Sequence, residues 1–141
     1  MGYTHYWTVE RDLTDNEWDR LSGLFQKIIN RSRDFNAPLV YEYDQPEKGP
    51  EVSKSFVRFN GIGGDGHETF LFSRDACPFS FCKTARKPYD AAVVACLIAA
   101  ANEFPDAVSF RSDGISEEHA DGLRLFNAAT DRSLEQSNVE Q

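Results

Sequence analysis

The sequence predicts an α+β domain, in which an antiparallel sheet of four to five strands is covered mainly on one face by two or three helices. Three observations predict this class. Strand-like segments with period-two alternation occur both singly and as a hairpin pair, helical segments lie between them, and 141 residues suit one domain. The expected order is β-α-β-β-β-α-β-α over residues 1–129, followed by a polar, flexible tail at 130–141.

The first strand and the first helix have the clearest local signals. Residues 3–9, YTHYWTV, are rich in residues that favour strands. Thr14 and Glu17 form a capping box, in which each side chain accepts a hydrogen bond from the other residue's backbone N–H. Apolar residues at three- and four-residue steps then predict an amphipathic helix that ends near residues 30–33. They are Trp18, Leu21, Leu24, Phe25, Ile28 and Ile29.

The middle of the chain reads as strands and loops. Residues 39–43, LVYEY, predict a second strand, and residues 44–55 predict an exposed loop because they contain two prolines and many charges. Residues 55–59 and 68–73 alternate between large apolar and polar side chains. They predict two strands on either side of a glycine-rich stretch.

A second helix is predicted over residues 88–104. Pro88 suits the first helical position, where its missing N–H would have had no partner. The run 91–101 is apolar on all sides, so this helix is expected to be buried or packed on a sheet. Pro105 ends it.

The last elements are short. Residues 108–111 predict a strand, and residues 112–114, SDG, predict a turn. Ser116 is a candidate cap for a third helix. The apolar residues of that helix would be Ala120, Leu123 and Phe126.

The glycine-rich stretch FNGIGGDGHETF, residues 59–70, contains the spacing G-x-G-x-x-G at Gly61, Gly63 and Gly66. A dinucleotide-binding loop needs a helix after these glycines, because the pyrophosphate lies on that helix's N-terminus. A strand is predicted there instead. The glycines are therefore interpreted as a hairpin connection, in which Asp65-Gly66 is a typical turn pair.

Charge and hydropathy narrow the function classes. The net charge of −8, from 23 acidic and 15 basic residues, argues against direct nucleic-acid binding through a broad basic face. No apolar run approaches the roughly 18 residues of a membrane span, and the N-terminus lacks the features of a secretory signal. A cytoplasmic protein is expected, with no membrane partner.

The cysteine count argues against metal or disulfide frameworks. The chain has three cysteines and no C-x-x-C pair. Cys96 lies in the apolar run and is expected to be buried, whereas Cys77 and Cys82 lie close enough in sequence that a contact across a bend stays open. No metal or cofactor is expected.

The segment FCKTARKPYD, residues 81–90, is the main candidate site. Lys83, Arg86 and Lys87 precede the N-terminus of the buried helix, where cations oppose the helix dipole. A bound anion would reverse that penalty, because free backbone N–H groups and cationic side chains together form an anion site. The alternative is that the protein's own carboxylates neutralise these cations.

Further polar residues are candidates for the same ligand. A threonine hydroxyl is a donor, aromatic rings stack on bases, and residues at strand ends reach a nearby ligand. These candidates are Thr84, Tyr89, Asp90, His5, Tyr6, Asn60, His67 and Glu68. The alternatives are that His5 is a packed strand histidine and that His67 and Glu68 form a solvated hairpin base.

Two other functions are open at this point. An acidic surface could fill a nucleic-acid groove on a host protein. Its candidate residues are Glu17, Asp19, Glu117, Glu118 and Asp121. A small hydrolase or transferase would use a histidine base and Cys82 beside Lys83, but no familiar catalytic motif is present.

Four short motifs carry a resemblance. MGYTHYW at residues 1–7, FNG at 59–61, HE at 67–68 and FCKT-x-x-KPYD at 81–90 resemble small, mostly uncharacterised proteins encoded by bacteriophages, prophages and plasmids. The resemblance extends to about residue 122 and implies a genomic setting but no activity or catalytic residue.

Small accessory proteins of such elements often block host immunity, some by sequestering nucleotide signals and some as acidic mimics of DNA. The expectation is an accessory protein that captures an anionic, nucleotide-like small molecule. A host-protein partner and a homo-oligomer stay open.

Overall fold

A computed structural model describes residues 3–114 and 116–135, except for the side chains of Ser116 and Glu117. The predicted α+β class is confirmed, although the strands form two antiparallel sheets rather than one. In chain order the elements are β1 (Thr4–Val9), α1 (Asp15–Arg31), β2 (Leu39–Val40), β3 (Glu51–Val52), β4 (Phe56–Gly61), β5 (Phe70–Ser73), β6 (Cys77–Lys83), α2 (Asp90–Glu103), β7 (Val108–Ser112) and α3 (Ala120–Thr130).

The first sheet has the order β6-β1-β7, with β1 in the centre. His5 lies opposite Cys82 on one side and Ser112 on the other. Because side chains alternate along a strand, the odd-numbered residues of β1 point toward the helices and the even-numbered residues point away. The burial of β1 follows this pattern, since His5, Trp7 and Val9 are buried.

Strand β6 was not predicted from the sequence. Its large side chains, Phe79 and Phe81, are more than half exposed. It pairs with β1 from Thr4 opposite Lys83 to Val9 opposite Cys77. The strand therefore places the start of the predicted site, Lys83, on the sheet rather than in a loop.

The second sheet is built around β4, which pairs with β2, β3 and β5. The glycine-rich stretch joins β4 to β5, so a strand follows it and the hairpin interpretation is confirmed. A Cβ at Gly61 would lie 2.3 Å from the Asp65 carbonyl oxygen, which explains why only glycine fits there.

Helix α1 begins as predicted. The Glu17 backbone N–H donates to Thr14 Oγ1 at 3.2 Å, and the Thr14 N–H donates to Glu17 Oε1 at 2.9 Å. The apolar face of α1 is buried; its members are Trp18, Leu21, Leu24, Phe25 and Ile28.

Helix α2 lies at the centre of the domain, between the first sheet and the other two helices, α1 and α3. Residues 91–100 are all buried, as the sequence predicts. The helix begins at Asp90, two residues after Pro88. Among the described helices, none combines the length and the apolarity needed to cross a membrane.

The C-terminal region follows the prediction in part. Helix α3 begins after a 3-10 turn at Ser116–His119 and ends at Thr130. The proposed cap by Ser116 and the last part of the tail, residues 136–141, lie outside the described atoms.

Candidate functional site

A tight turn, residues 84–87, connects β6 to α2. The Lys87 N–H donates to the Thr84 carbonyl at 3.0 Å. The two residues between them, Ala85 and Arg86, have φ angles of 52° and 58°, which is the left-handed region that other residues than glycine seldom occupy. Such residues store strain, and they cluster at functional sites.

Contacts with β1 and with the 3-10 turn before α3 hold this strained turn in place. The Thr84 and Ala85 N–H groups both donate to the Tyr3 carbonyl, at 3.0 and 3.2 Å. Arg86 Nε donates to Glu118 Oε2 at 2.6 Å, and its guanidinium lies over the Tyr3 ring, 4.4 Å from the centroid. The hydrogen bond to Glu118 raises the pKa of Arg86. Arg86 is therefore neutralised by the protein itself.

A cavity of about 370 Å³ opens beside this turn and is called the α2 cleft here. Its volume lies within the range of small-molecule sites, about 300–1,000 Å³. Its lining is part apolar and part polar. The polar residues are Tyr3, Asn36, Arg86, Lys87, Asp90, Glu118 and Asp121.

The carboxylates of the α2 cleft already have partners. Glu118 binds Arg86, and Asp121 accepts a hydrogen bond from Arg124. Asp90 Oδ1 accepts from Thr84 Oγ1 and from His5 Nε2, each at 2.6 Å. Each described acidic side chain of the cleft therefore has a hydrogen-bond or ion-pair partner.

Lys87 is the cation of the α2 cleft that lacks such a partner. It is half-buried and lines the cavity. The ion pairs of the described residues include neither Lys87 nor Lys83. Lys87 therefore forms no ion pair with a described residue, although the Asp90 carboxylate lines the same cavity.

The Tyr3 hydroxyl is a second unsatisfied group in the cleft. Tyr3 is fully buried, and its Oη has no hydrogen-bond partner among the described residues. Burial raises its pKa well above the ordinary value, and the Asp90 and Glu118 carboxylates add to the effect. The hydroxyl therefore keeps its proton and acts as a donor. Leaving such a buried group unpaired costs about 1–3 kcal/mol.

Behind the cleft lies a buried polar chain that runs from Ser112 through His5 to Asp90 and Thr84. Ser112 Oγ is 2.5 Å from His5 Nδ1, and His5 is fully buried. Because the Asp90 carboxylate can only accept, His5 Nε2 donates to it, and the other ring nitrogen, Nδ1, pairs with the Ser112 hydroxyl. The chain fixes the Asp90 carboxylate at the start of α2.

The backbone N–H groups at the start of α2 are not free, contrary to the sequence-based expectation. Asp90 N–H donates to the Lys87 carbonyl at 2.9 Å, and Ala92 N–H donates to the Tyr89 carbonyl at 3.0 Å. The turn therefore occupies donors that an anion would need. Side chains, rather than the helix end, must supply the contacts to a ligand in this cleft.

The remaining predicted residues lie elsewhere. Tyr89 is buried, donates its hydroxyl to the Glu68 carbonyl at 2.5 Å, and so cannot stack on a ligand. Lys83 and Tyr6 point away from the helices on the far face of the first sheet. Glu68 is exposed and accepts from the Lys83 backbone N–H at 2.7 Å.

Asn60 and His67 belong to the glycine-rich loop. The Asn60 amide donates to the His67 carbonyl at 2.9 Å and accepts from the Gly61 N–H at 2.7 Å. The His67 side chain is exposed. These contacts give Asn60 a loop-shaping role, away from the α2 cleft.

Four polar residues of the cleft were missed as site residues: Tyr3, Asn36, Glu118 and Asp121. Tyr3 lies on the same strand face as His5, so the alternation of side chains along the strand could have identified it from the sequence. Asn36 has a φ of 60° after a 3-10 turn, and no sequence pattern connects it with residues 84–87. Glu118 and Asp121 were singled out only as part of an acidic surface.

Cys82 does not suit the nucleophile hypothesis. It is fully buried, and burial raises its pKa to about 12. The described cysteines are all free thiols. A thiol that stays protonated at neutral pH is a poor nucleophile.

Several carboxylates of the predicted acidic surface bind other side chains of the protein. Glu17 binds Arg11 at 2.9 Å, in addition to the capping box. Glu118 and Asp121 bind arginines, and Asp19 is exposed. The Glu117 side chain lies outside the described atoms. The carboxylates that bind arginines are already partly neutralised, so they are less available to imitate phosphates.

Comparisons of the chain with protein-family models, with curated proteins and with solved structures find no match.

Proposed function

We propose that this protein binds a small, anionic, nucleotide-like molecule in the α2 cleft. We propose further that it acts as an accessory protein of a phage or related mobile element, in the cytoplasm of the host cell, where it sequesters a defence signal. The observation that carries the proposal is the buried Tyr3 hydroxyl, which has no described partner and lines the same cavity as Lys87, a cation that forms no ion pair with the described residues. A phosphate or carboxylate oxygen would satisfy both groups.

The charged side chains of the cleft favour a ligand that carries only a few negative charges. Lys87 provides one free positive charge, whereas Arg86 is bound to Glu118. Arg86 is half exposed, so an incoming phosphate can compete with Glu118 for the guanidinium, which binds phosphate in a bidentate manner. Asp90, Glu118 and Asp121 disfavour a densely charged ligand such as a triphosphate. A monophosphate or a phosphodiester fits this balance better.

The strained turn supports binding rather than a purely structural role. Ala85 and Arg86 each adopt a costly conformation, and the result is that Arg86 and Lys87 both line one cavity. A turn that served only to join β6 to α2 would be more stable with glycine or asparagine at these positions.

Calorimetric titration tests the proposal. Purified protein is titrated with nucleoside monophosphates, cyclic mononucleotides, cyclic dinucleotides and inorganic phosphate. Binding heat is expected with at least one phosphate ligand, and it should be lost in Lys87→Ala. Lys83→Ala is the matched control, because Lys83 is a nearby half-buried lysine that lies outside the cleft.

Two results would overturn the proposal. One is the absence of heat with every phosphate compound. The other is an equal loss of binding in Lys83→Ala and Lys87→Ala, because the α2 cleft would then not be the site. Circular dichroism of each variant checks that it is folded.

A hydrolase is the second candidate, and the line from Ser112 through His5 to Asp90 favours it. The three residues have the order of a serine–histidine–aspartate triad. Ser112, however, does not line the cleft, and His5 has no exposed surface. Ligand turnover that disappears in Ser112→Ala would favour this candidate over capture.

A further inference from the structure

One face of the three-stranded sheet is covered by none of the described helices, and it is called the outer face here. The helices cover the side to which His5, Trp7 and Val9 point. The outer face carries the opposite residues of the three strands. They are Thr4, Tyr6 and Thr8 from β1, Phe79, Phe81 and Lys83 from β6, and Ser109 and Arg111 from β7.

Aromatic and cationic side chains form one continuous group on the outer face. The register places Phe81, Tyr6 and Arg111 in a row across the three strands. Phe79 lies 5.9 Å from Tyr6 and 5.8 Å from Phe81 between ring centroids. The Arg111 guanidinium lies 4.4 Å above the Tyr6 ring. A hollow of about 170 Å³ lies beside Tyr6, Phe79 and Arg111.

The exposure of these rings is unusual. Phe79 is 55% exposed and Phe81 is 54% exposed, and both lie on the same strand two residues apart. Single exposed apolar residues are normal on a protein surface, but a contiguous group marks a binding surface. The phenylalanines are not needed to fill the core, which lies on the other side of the sheet.

Two cations of the outer face form no ion pair with the described residues. Arg111 and Lys83 flank the rings, and the ion pairs of the described residues include neither of them. Two carboxylates lie near these cations: Asp113 Oδ2 is 3.4 Å from the Tyr6 hydroxyl, and Glu68 Oε1 accepts from the Lys83 backbone N–H at 2.7 Å. Because neither carboxylate forms an ion pair with the side chain of Arg111 or Lys83, both cations are available to phosphates.

We propose that the outer face binds a short single-stranded nucleic acid of about two or three nucleotides, by the stacking that sheet platforms with exposed aromatic residues use. The bases would stack on Tyr6, Phe79 and Phe81. Arg111 and Lys83 would contact the flanking phosphates. This inference does not depend on the α2 cleft, which lies at the other side of the sheet.

The charges favour this occupant over a second copy of the chain. In a symmetric dimer the same patch meets itself, which would bring Arg111 and Lys83 toward their own copies. It would also bring together two chains of net charge −8. A nucleic-acid strand instead offers planar bases for the rings and phosphates for the cations. The acidity of the remaining surface limits the contact to a short stretch and makes it weak.

Fluorescence anisotropy tests the proposal with labelled oligo-dT and oligo-U. Each oligonucleotide has about eight nucleotides, which is within the site sizes known for stacking platforms. Binding is expected at low salt and should weaken as salt rises, because phosphate contacts release counterions. Phe81→Ala and Arg111→Ala should each weaken binding, Phe81→Ala by about five- to a hundredfold, the effect of losing one stacked base.

The controls separate this site from the cleft. Leu71→Ala removes an apolar side chain of similar exposure, 49%, on the other sheet, and should leave binding unchanged. Lys87→Ala should also leave it unchanged, whereas Lys83→Ala should weaken it. In the titration of the cleft, Lys87→Ala is the tested variant and Lys83→Ala is the control. Here Lys83→Ala is tested and Lys87→Ala is the control, so either proposal can fail without the other.

Three outcomes would overturn the inference. The first is no change in anisotropy with either oligonucleotide. The second is a mononucleotide that binds as tightly as the oligonucleotides, since the site would then accept a single base and no strand. The third is a wild-type dimer in sedimentation velocity that dissociates in Phe81→Ala without any nucleic-acid binding, because the occupant would then be a second copy.

Discussion

The guanidinium of Arg86 lies over the ring of Tyr3, 4.4 Å from its centroid, because both residues lie beyond the same end of the β1–β6 pairing, where Thr4 is opposite Lys83. The same arginine binds Glu118 at 2.6 Å. Arg86 therefore covers one face of the Tyr3 ring and lines the α2 cleft beside it. A ligand that draws Arg86 away from Glu118 would also gain access to Tyr3.

The strained turn gives the first prediction. Ala85→Gly should raise the free energy of unfolding by about 1 kcal/mol, because glycine adopts positive φ without the steric cost that alanine has. The variant keeps every side-chain contact of Arg86. Urea denaturation followed by tryptophan fluorescence measures the change.

Ala76→Gly is the matched control for this prediction. Ala76 is exposed, lies outside the helices and is not among the residues with positive φ. The same chemical change there should slightly lower stability, because glycine gives the unfolded chain more freedom. If both variants lose stability equally, the turn at residues 84–87 is not strained.

The unpaired hydroxyl gives the second prediction. Tyr3→Phe should raise the free energy of unfolding of the ligand-free protein by about 1 kcal/mol, because it removes a buried polar group that has no described partner. The same variant should lose affinity for the phosphate ligand. Higher stability combined with weaker binding is the signature of a group retained for function.

Tyr89→Phe provides the opposite case. Its hydroxyl donates to the Glu68 carbonyl at 2.5 Å in a buried setting. Removing it should lower stability by about 1–2 kcal/mol, because the carbonyl then loses its partner. Equal losses in Tyr3→Phe and Tyr89→Phe would mean that the Tyr3 hydroxyl is bonded after all.

The helical part of the fold was predictable because its signals are local. The capping box at Thr14 and Glu17 and the apolar run at 91–100 each act within a few residues of the chain. The glycine-rich loop was predictable for the same reason, since the strand pattern after Gly66 excluded a helix. Strand β6 was missed because its phenylalanines face outward.

The site was less predictable because its contacts are long-range. Arg86 and Glu118 are 32 residues apart, and nothing in the sequence indicates that this acid, among 23, meets this cation. The positive φ angles at Ala85 and Arg86 also have no sequence signal, because neither residue is glycine or asparagine. The cations of the segment divide between two faces of the domain, since Arg86 and Lys87 line the α2 cleft and Lys83 lies on the far face of the first sheet.

The third prediction concerns pH. Hydrogen bonds from Arg11 and from Thr14 lower the pKa of Glu17 to about 2 from its ordinary value of 4.5. The folded-state pKa lies below the unfolded-state value, so Glu17 stabilises the fold fully above pH 4.5, and this contribution is lost as the pH falls toward 2. Wild type should therefore melt at a higher temperature than Glu17→Gln at neutral pH, and the difference should shrink in acid.

Thermal melts at a series of pH values measure that difference, and Asp19→Asn is the control. Asp19 is exposed on the same helix, and its carboxylate makes no hydrogen bond or ion pair with the described residues. The difference in melting temperature between Asp19→Asn and wild type should be small at every pH. A Glu17→Gln difference that does not change between neutral and acid pH would contradict the contribution assigned to the capping box and Arg11.

The thiols give the last prediction. Cys77 is half-buried, whereas Cys82 and Cys96 are fully buried and burial raises the pKa of both. Iodoacetamide at mildly alkaline pH should therefore modify the native protein once, at Cys77, while all three thiols should react in denaturant. Intact-mass and peptide mass spectrometry identify the modified residue. Cys82 reacting in the native protein as fast as Cys77 would contradict its burial and would restore it as a candidate nucleophile, because only an accessible thiolate reacts at such a rate.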